Sequence, residues 1–404
     1  MAPSLAPWRG ARAAARAFAL AAVASSAMAQ TSVLINPGDQ VEGDRVGVFN
    51  AWKAALEPGL RKAGASDVST RFSSDATADL SATRAQLYDV MVAPAPVIGS
   101  AVRYGYVPLL GSTRGARATL VVAEGSAIGN WEQSKGKRLG MPGQDSVVTY
   151  LLRGEVQAAN TTLPRQYSSI YQTRYQDALL TCLELRRCDV VAVEQAVAQK
   201  WAAGGAKVRV VWESREVPGL SLAVRKGSPL QADALRQSLM AELPRNSVSG
   251  AQAPVAAKDF DYVSTLGYFT PRALAGATLV EDPAAIETLL AAGARFIDTR
   301  TEEEFARGHV PGAQLVPYVE KSAKDPDYDP KQDQFDLQRL GADKGQALIL
   351  ACNGAECWKS FKASRAALQA GYTKVYWFRT GLPAWRASGR KVDSRAPAAA
   401  AKAG

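Results

Sequence analysis

From residue 31 onward, short apolar runs alternate with stretches in which apolar residues return every three or four positions. The run Ser32-Val33-Leu34-Ile35 predicts a strand, and residues 49–62 carry the helical spacing. Apolar runs at 68–72, 89–93, 119–122, 138–141, 189–193, 208–211 and 221–224 predict further strands, the one at 89–93 being closed by Pro94-Ala95-Pro96. Strands that alternate with helices predict an α/β fold with a largely parallel sheet over 31–245. Residues 246–270, rich in small and polar types, read as a linker, and a second α/β unit fills 271–392. The low-complexity end, 393–404, is expected to be a disordered tail.

The first 29 residues follow another rule. Arg9, Arg12 and Arg16 precede the apolar run 17–24 and the small-residue site Ala27-Met28-Ala29. This is the pattern of a cleaved signal peptide, and it predicts a periplasmic protein. No Cys stands near the cut and no Arg pair precedes the apolar run, so general secretion is the expected route. No later run reaches the roughly 18 apolar residues of a membrane span.

The remaining composition narrows the chemistry. With 404 residues, 47% of them hydrophobic and 21% charged, the chain is neither disordered nor fibrous and can bury two or three cores. The formal net charge is +10, of which the segment before Gln30 carries three arginines. Such an excess suits a small anion or an anionic surface. No dense basic run with interleaved aromatics is present, so no nucleic-acid partner is expected. The four cysteines fall in two pairs, Cys182/Cys188 and Cys352/Cys357, and His309 is the lone histidine. Neither pair has a CxxC spacing, so neither a metal nor another cofactor is expected. In an exported protein an even count favours disulfides. Cys182 falls late in a helix and Cys188 just before the next strand, so the intervening turn can join them, with two buried thiols as the other reading.

The segments Asp89-Val-Met-Val-Ala-Pro-Ala-Pro, Gly105-Tyr-Val-Pro-Leu-Leu, residues 136–146 and the stretch from Tyr175 to Val193 carry a resemblance. Over about 210 residues the chain resembles periplasmic substrate-binding proteins of the phosphonate/sulfonate type. That resemblance implies a two-lobed type 2 fold, a small anionic or sulfur-containing ligand, and a membrane transporter or periplasmic enzyme as partner. Asp145 and Ser146 stand at a helix N-terminus, where they either cap the helix or face an anionic ligand. Pro94 and Ala95 are further ligand candidates because open α/β sheets bind at the carboxyl ends of strands.

The C-terminal unit is sharper. Phe296-Ile-Asp-Thr-Arg300, the stretch Glu304 to Ala313 with His309 inside it, Ala347-Leu-Ile-Leu-Ala-Cys352, Gly371-Tyr372 and Gly381-Leu-Pro-Ala-Trp385 follow in order. Residues 271–392 resemble a rhodanese domain. The resemblance makes Asp298, Arg300, Glu304, His309 and Trp385 framework residues and Cys352 the catalytic thiol. Cys352 ends an apolar strand and opens the loop Asn353, Gly354, Ala355, Glu356, Cys357, Trp358 and Lys359, after which a helix is predicted. Backbone N–H groups and the helix dipole would there favour a thiolate.

Gly371 falls about two residues later than in a common rhodanese, so the loop reads as enlarged. Phosphatase-like relatives need an Arg in this loop and here it holds only Lys359, which is expected to attract an anionic donor. Cys357 followed by Trp358 resembles a rhodanese-like subgroup with a second loop Cys. It either resolves a Cys352 persulfide as a disulfide or packs as a small hydrophobe.

Three functions follow as expectations. The first is an exported sulfurtransferase that moves sulfane sulfur from a donor such as thiosulfate to a thiol acceptor. The second is a solute-binding protein whose rhodanese unit senses or docks, and the third a dithiol redox protein using Cys352 and Cys357.

Overall fold

The computed structural model describes residues 30–39, 45–159, 161–243, 251–266 and 269–395. The signal-peptide reading of 1–29 and most of the expected tail lie outside these residues. The first four strands, β1 (Thr31–Ile35), β2 (Val68–Phe72), β3 (Val90–Ala93) and β4 (Tyr106–Ser112), belong to one lobe. The next five, β5 (Ala118–Ala123), β6 (Arg138–Pro142), β7 (Ser169–Thr173), β8 (Val190–Glu194) and β9 (Val208–Glu213), form the sheet of a second lobe in the order β7-β6-β8-β5-β9. The chain then returns, and β10 (Ser221–Arg225) and β11 (Gln252–Pro254) complete the first sheet in the order β11-β4-β10-β3-β1-β2.

This return corrects the expectation of a largely parallel sheet. A strand that re-enters a lobe from its neighbour arrives running the opposite way. Accordingly β10 is antiparallel to both β3 and β4, and β5 is antiparallel to β8 and β9. Both sheets are mixed, as in a two-lobed type 2 binding-protein fold.

The stretch read as a linker carries structure. β11 extends the first sheet, and the helix Asp261–Thr265 packs on the helix Ala95–Arg103 with Phe260 and Val263 fully buried. Leucine 266 continues that apolar face. The hydrophobic cluster runs unbroken from here into the C-terminal unit through Tyr328, Trp358, Phe361 and Trp377.

That unit contains β12 (Ala277–Val280), β13 (Arg295–Asp298), β14 (Gln314–Leu315), the small ribbon β15 (Tyr318–Val319) with β16 (Gln334–Phe335), β17 (Leu348–Ala351) and β18 (Val375–Phe378). Its main sheet is wholly parallel, in the order β12-β18-β17-β13-β14. Central β17 is buried along its whole length, so Cys352 is delivered to the carboxyl edge of a fixed strand. The beginning of the expected tail is tied down: Asp393 pairs with His309 through both backbones, and the Arg395 amide donates to Ala306.

Cys182 and Cys188 are joined as a disulfide with Cα atoms 5.3 Å apart. The helix Ala178–Glu184 ends in a turn in which the amides of Arg187 and Cys188 both donate to the Cys182 carbonyl, which brings the thiols together. Closing so short a loop restricts the unfolded chain by about 2 kcal/mol on the entropy model. Replacing both by alanine is therefore expected to lower the unfolding free energy by about 2 kcal/mol, seen as a lower urea midpoint, and to leave Cys352 chemistry intact. A midpoint that does not move would show that the turn is fixed without the bond.

Candidate functional site

The C-terminal site is built outward from β17. Cys352 follows the strand, and its carbonyl accepts from the amide of Leu382 at the start of the helix Gly381–Ala387. Gly381 has φ +57° and its Cα lies so close to the Cys352 carbonyl that a Cβ would collide with it. The loop turns at Gly354, where φ is +100° and a Cβ would stand 3.2 Å from the Tyr104 hydroxyl of the N-terminal domain. The amide of Cys357 closes the turn on Gly354 at 2.9 Å, and Thr270 donates twice to the Ala355 carbonyl. Cys357 then serves as the N-terminal boundary of the helix Trp358–Gln369, whose first amides have no intrahelical acceptor.

Cys352 and Cys357 are joined, with Cα atoms 6.1 Å apart and both side chains buried. The loop is thus in its two-electron oxidised form. Cys357 lines the cavity in front of the loop, whereas Cys352 is not among the residues that line it.

The framework residues hold the loop from below. Arg300 makes paired hydrogen bonds to the Asp298 carboxylate and donates to the Gly308 carbonyl. It also reaches the Asn353 side-chain oxygen at 3.4 Å. The Asn353 amide donates to Glu304 at 2.7 Å, and Glu304 forms a reciprocal cap with Thr301. Burial pushes the Glu304 carboxyl up, but Lys359, the Thr301 amide and Arg300 outweigh it and hold it below the usual carboxylate range. His309 and Trp385 stand away from the loop. His309 directs Nδ1 to the Phe305 carbonyl and stacks on that ring at 3.8 Å, while Trp385 donates to the Lys391 carbonyl.

Glu356 faces outward, and its partners come from the other domain. Its carboxylate receives Arg103 at 3.0 Å and lies 3.6 Å from Arg84. The Ser81 hydroxyl approaches the Asn353 amide at 3.4 Å from the same side. Ser81 and Arg84 sit on the helix Ala76–Ala85, which lies against the active loop. The second lobe holds the C-terminal unit independently: Arg153 donates to the Lys324 carbonyl and pairs with Asp325 at 3.3 Å, both side chains being buried. Sequence reasoning missed Ser81, Arg84, Arg103 and Lys324. No local pattern marks Arg84 or Arg103, whose partner Glu356 lies more than 250 residues away in the chain.

The N-terminal candidates are brought together differently. Pro94, Asp145 and Ser146 line one small space between the lobes, and Ala95 is buried beside it. That space is about 10 Å³, room for one water at most. Ser146 accepts from the Val148 amide and so caps its helix. Carboxylates converge here. Burial, with Asp75 and Asp39 nearby, pushes Asp145 up to about 6. Burial likewise lifts Asp79, close enough to feel Asp145, to about 7, and lifts Glu194, which lines a separate cavity, to about 7. The expected anion-binding end of this cleft is therefore filled and acidic in this arrangement. Among the described residues no group of three His, Cys, Asp or Glu is placed to hold a metal ion, and no helix is long and apolar enough to cross a membrane.

Known proteins match both parts. The family model for the rhodanese-like domain matches residues 282–388, and that for the ABC transporter phosphonate periplasmic substrate-binding protein matches residues 49–262. Thiosulfate sulfurtransferase 16, chloroplastic, of Arabidopsis thaliana is 36% identical over 107 residues, which are 25% of this chain and 81% of that protein. Among solved structures, XAC2383 from Xanthomonas citri with bound chloride is 18% identical, with a TM-score of 0.48 over 59% of this chain and 96% of that one. PhnD1 from Prochlorococcus marinus in complex with methylphosphonate is 11% identical, with a TM-score of 0.46 over the same shares. With more than half its length matched in this way, the chain belongs to the phosphonate-type periplasmic substrate-binding protein family and carries at its C-terminal end a domain of the rhodanese-like sulfurtransferases.

Proposed function

We propose that the protein is an exported sulfurtransferase in which reduced Cys352 carries sulfane sulfur and Cys357 resolves it. The observation that carries this reading is the position of Cys352, at the end of a buried parallel strand and within disulfide reach of a second loop thiol. In the reduced loop the first-turn amides and dipole of the helix Trp358–Gln369 favour the Cys352 thiolate. The thiolate attacks the outer sulfur of thiosulfate, the sulfur–sulfur bond of the donor breaks, and sulfite leaves with the electron pair. An acceptor thiolate then takes the terminal sulfur and restores Cys352. Alternatively Cys357 attacks the Cys352 sulfur, hydrosulfide leaves, and the disulfide seen here results. An external thiol must then reduce that disulfide before another turnover. Export rests on the pattern of residues 1–29, and the family match supports a small anionic or sulfur-containing ligand between the lobes and a membrane transporter as partner.

The disulfide itself favours one second reading, a dithiol redox protein. Incubating the reduced protein with thiosulfate separates the two. Cys357→Ser is expected to gain about 32 Da, one covalently bound sulfur, and Cys352→Ser none. If neither variant gains mass while the wild type exchanges its disulfide with a small thiol, the redox reading holds and sulfur transfer is excluded.

A further inference from the structure

Between the helix Ala76–Ala85 and the active loop lies a cavity of about 340 Å³. Ser81 and Arg84 of the N-terminal domain form one wall, and Lys324, Cys357, Trp358 and Lys359 form the other. Arg84 is unusual. Its side chain is 1% exposed, yet Nε and Nη1 find no hydrogen-bond acceptor. The nearest carboxylate oxygen, on Glu356, is 3.6 Å away, too far for a hydrogen bond, and Glu356 is engaged more closely by Arg103. A buried guanidinium with open donors is costly unless something else fills them.

Lys324 repeats the pattern. It is 4% exposed, lines the same cavity, and its amine has no hydrogen-bond or ion-pair partner among the described residues. Burial pulls its pKa down to about 8; Arg84, Lys359 and Lys362 add to this and Glu320 opposes it. The carboxylates on the cavity wall are occupied elsewhere: Asp75 caps its own helix, Glu302 pairs with Arg395, and Glu320 pairs with Lys362 at 2.8 Å. The open hydrogen-bonding capacity on the walls is thus mainly cationic: Arg84, ion-paired with Glu356 yet with Nε and Nη1 unfilled, and Lys324, drawn from two domains and gathered in front of Cys357.

We propose that this cavity is an oxyanion pocket shared by the two domains, in which Arg84 of the substrate-binding domain joins Lys324 and Lys359 to hold a tetrahedral sulfur oxyanion against the active loop. The planar fork of Arg84 matches two oxygens of such an anion, and the two amines supply point charges to the others. The proposal deepens the sulfurtransferase reading and rests on it for the identity of the anion. In the rhodanese-like domain alone the pocket lacks one wall, so the N-terminal domain is part of the donor site.

Sulfate tests the pocket because it has the right shape and charge but no transferable sulfur. Titrated calorimetrically into the full-length oxidised protein, it is expected to bind once. Arg84→Gln and Lys324→Gln are each expected to weaken that binding about tenfold or more, since each removes a charge-assisted contact. Should Arg84→Gln misfold, as judged by near-ultraviolet circular dichroism, Lys324→Gln decides alone. Absence of sulfate binding to the wild type, or unchanged affinity in a folded variant, overturns the proposal. Persulfide formation is read separately, on the reduced protein by mass. A protein that binds sulfate through Arg84 yet gains no sulfur keeps the pocket and loses the sulfurtransferase reading.

Discussion

Truncation of Glu356 to alanine is expected to lower the unfolding free energy by about 3 kcal/mol or more, because it strands a buried guanidinium. Arg84 lines a cavity with Lys324 and Lys359, and Glu356 is the carboxylate that faces it. Removing that carboxylate leaves three cations with no counter-charge from the loop. Arg103→Ala should cost far less, about 1 kcal/mol at most, since its side chain is 31% exposed and water can replace what it loses. Urea unfolding followed by near-ultraviolet circular dichroism measures both. Sulfate should restore part of the loss in Glu356→Ala, by supplying the missing negative charge from solution. Equal losses for Glu356→Ala and Arg103→Ala would show that the buried pair with Arg84 contributes nothing.

Raising the pH from about 5 to 8 is expected to destabilise the N-terminal domain, opposite to the usual trend for salt-bridged carboxylates. Asp79 is the main cause. Burial pushes its carboxyl from 3.8 to about 7, although Ser73 and Asn36 both donate to it. The folded state therefore keeps a proton that the unfolded chain gives up near pH 4. Stability from this group is present below its unfolded value and declines as the pH climbs through the interval up to the folded value. A displacement of that size corresponds to at most about 4 kcal/mol. Asp145, lifted to about 6, and Glu194, lifted from 4.5 to about 7, act in the same direction. Asp79→Asn cannot ionise and should flatten the curve of melting temperature against pH by the largest single share. A variant curve that runs parallel to the wild type would place the dependence elsewhere.

Much of the C-terminal site can be read from the chain because its determinants are local. An apolar strand, a terminal Cys, a Gly that permits positive φ and a following helix all fall within about twenty residues, and each constrains the next. Asp298, Arg300 and Glu304 likewise bind near neighbours, Arg300 to Asp298 and Glu304 to Thr301. The mixed sheets were not legible, because strand direction depends on where the chain returns and an apolar run such as Ser221 to Val224 has no polarity of its own. The role of Glu356 was hidden for a related reason: a loop glutamate reads as solvated until a second domain brings arginines to it. Pro94 and Ala95, expected from the strand-end rule, and Asp145 and Ser146, expected from a helix N-terminus, lie near one another, but neither rule says anything about carboxylates arriving from the opposite lobe.

The C-terminal unit grips both lobes of the binding domain, through Glu356 and Asn353 on one and through Lys324 and Asp325 on the other. A clamshell strapped in this way cannot open at its hinge without disturbing the strap. To part the lobes, one anchor must be released, and each anchor adjoins the cavity in front of the cysteines. Any molecule that parted the lobes and any molecule that filled the loop would therefore act on the same anchors, and their effects would be linked by one free energy. A cleft ligand that loosens the strap raises the cost of filling the loop by some factor, and filling the loop weakens that ligand by the same factor. The strap therefore ties the spacing of the two lobes to the packing of the C-terminal unit, so that a change at one is felt at the other.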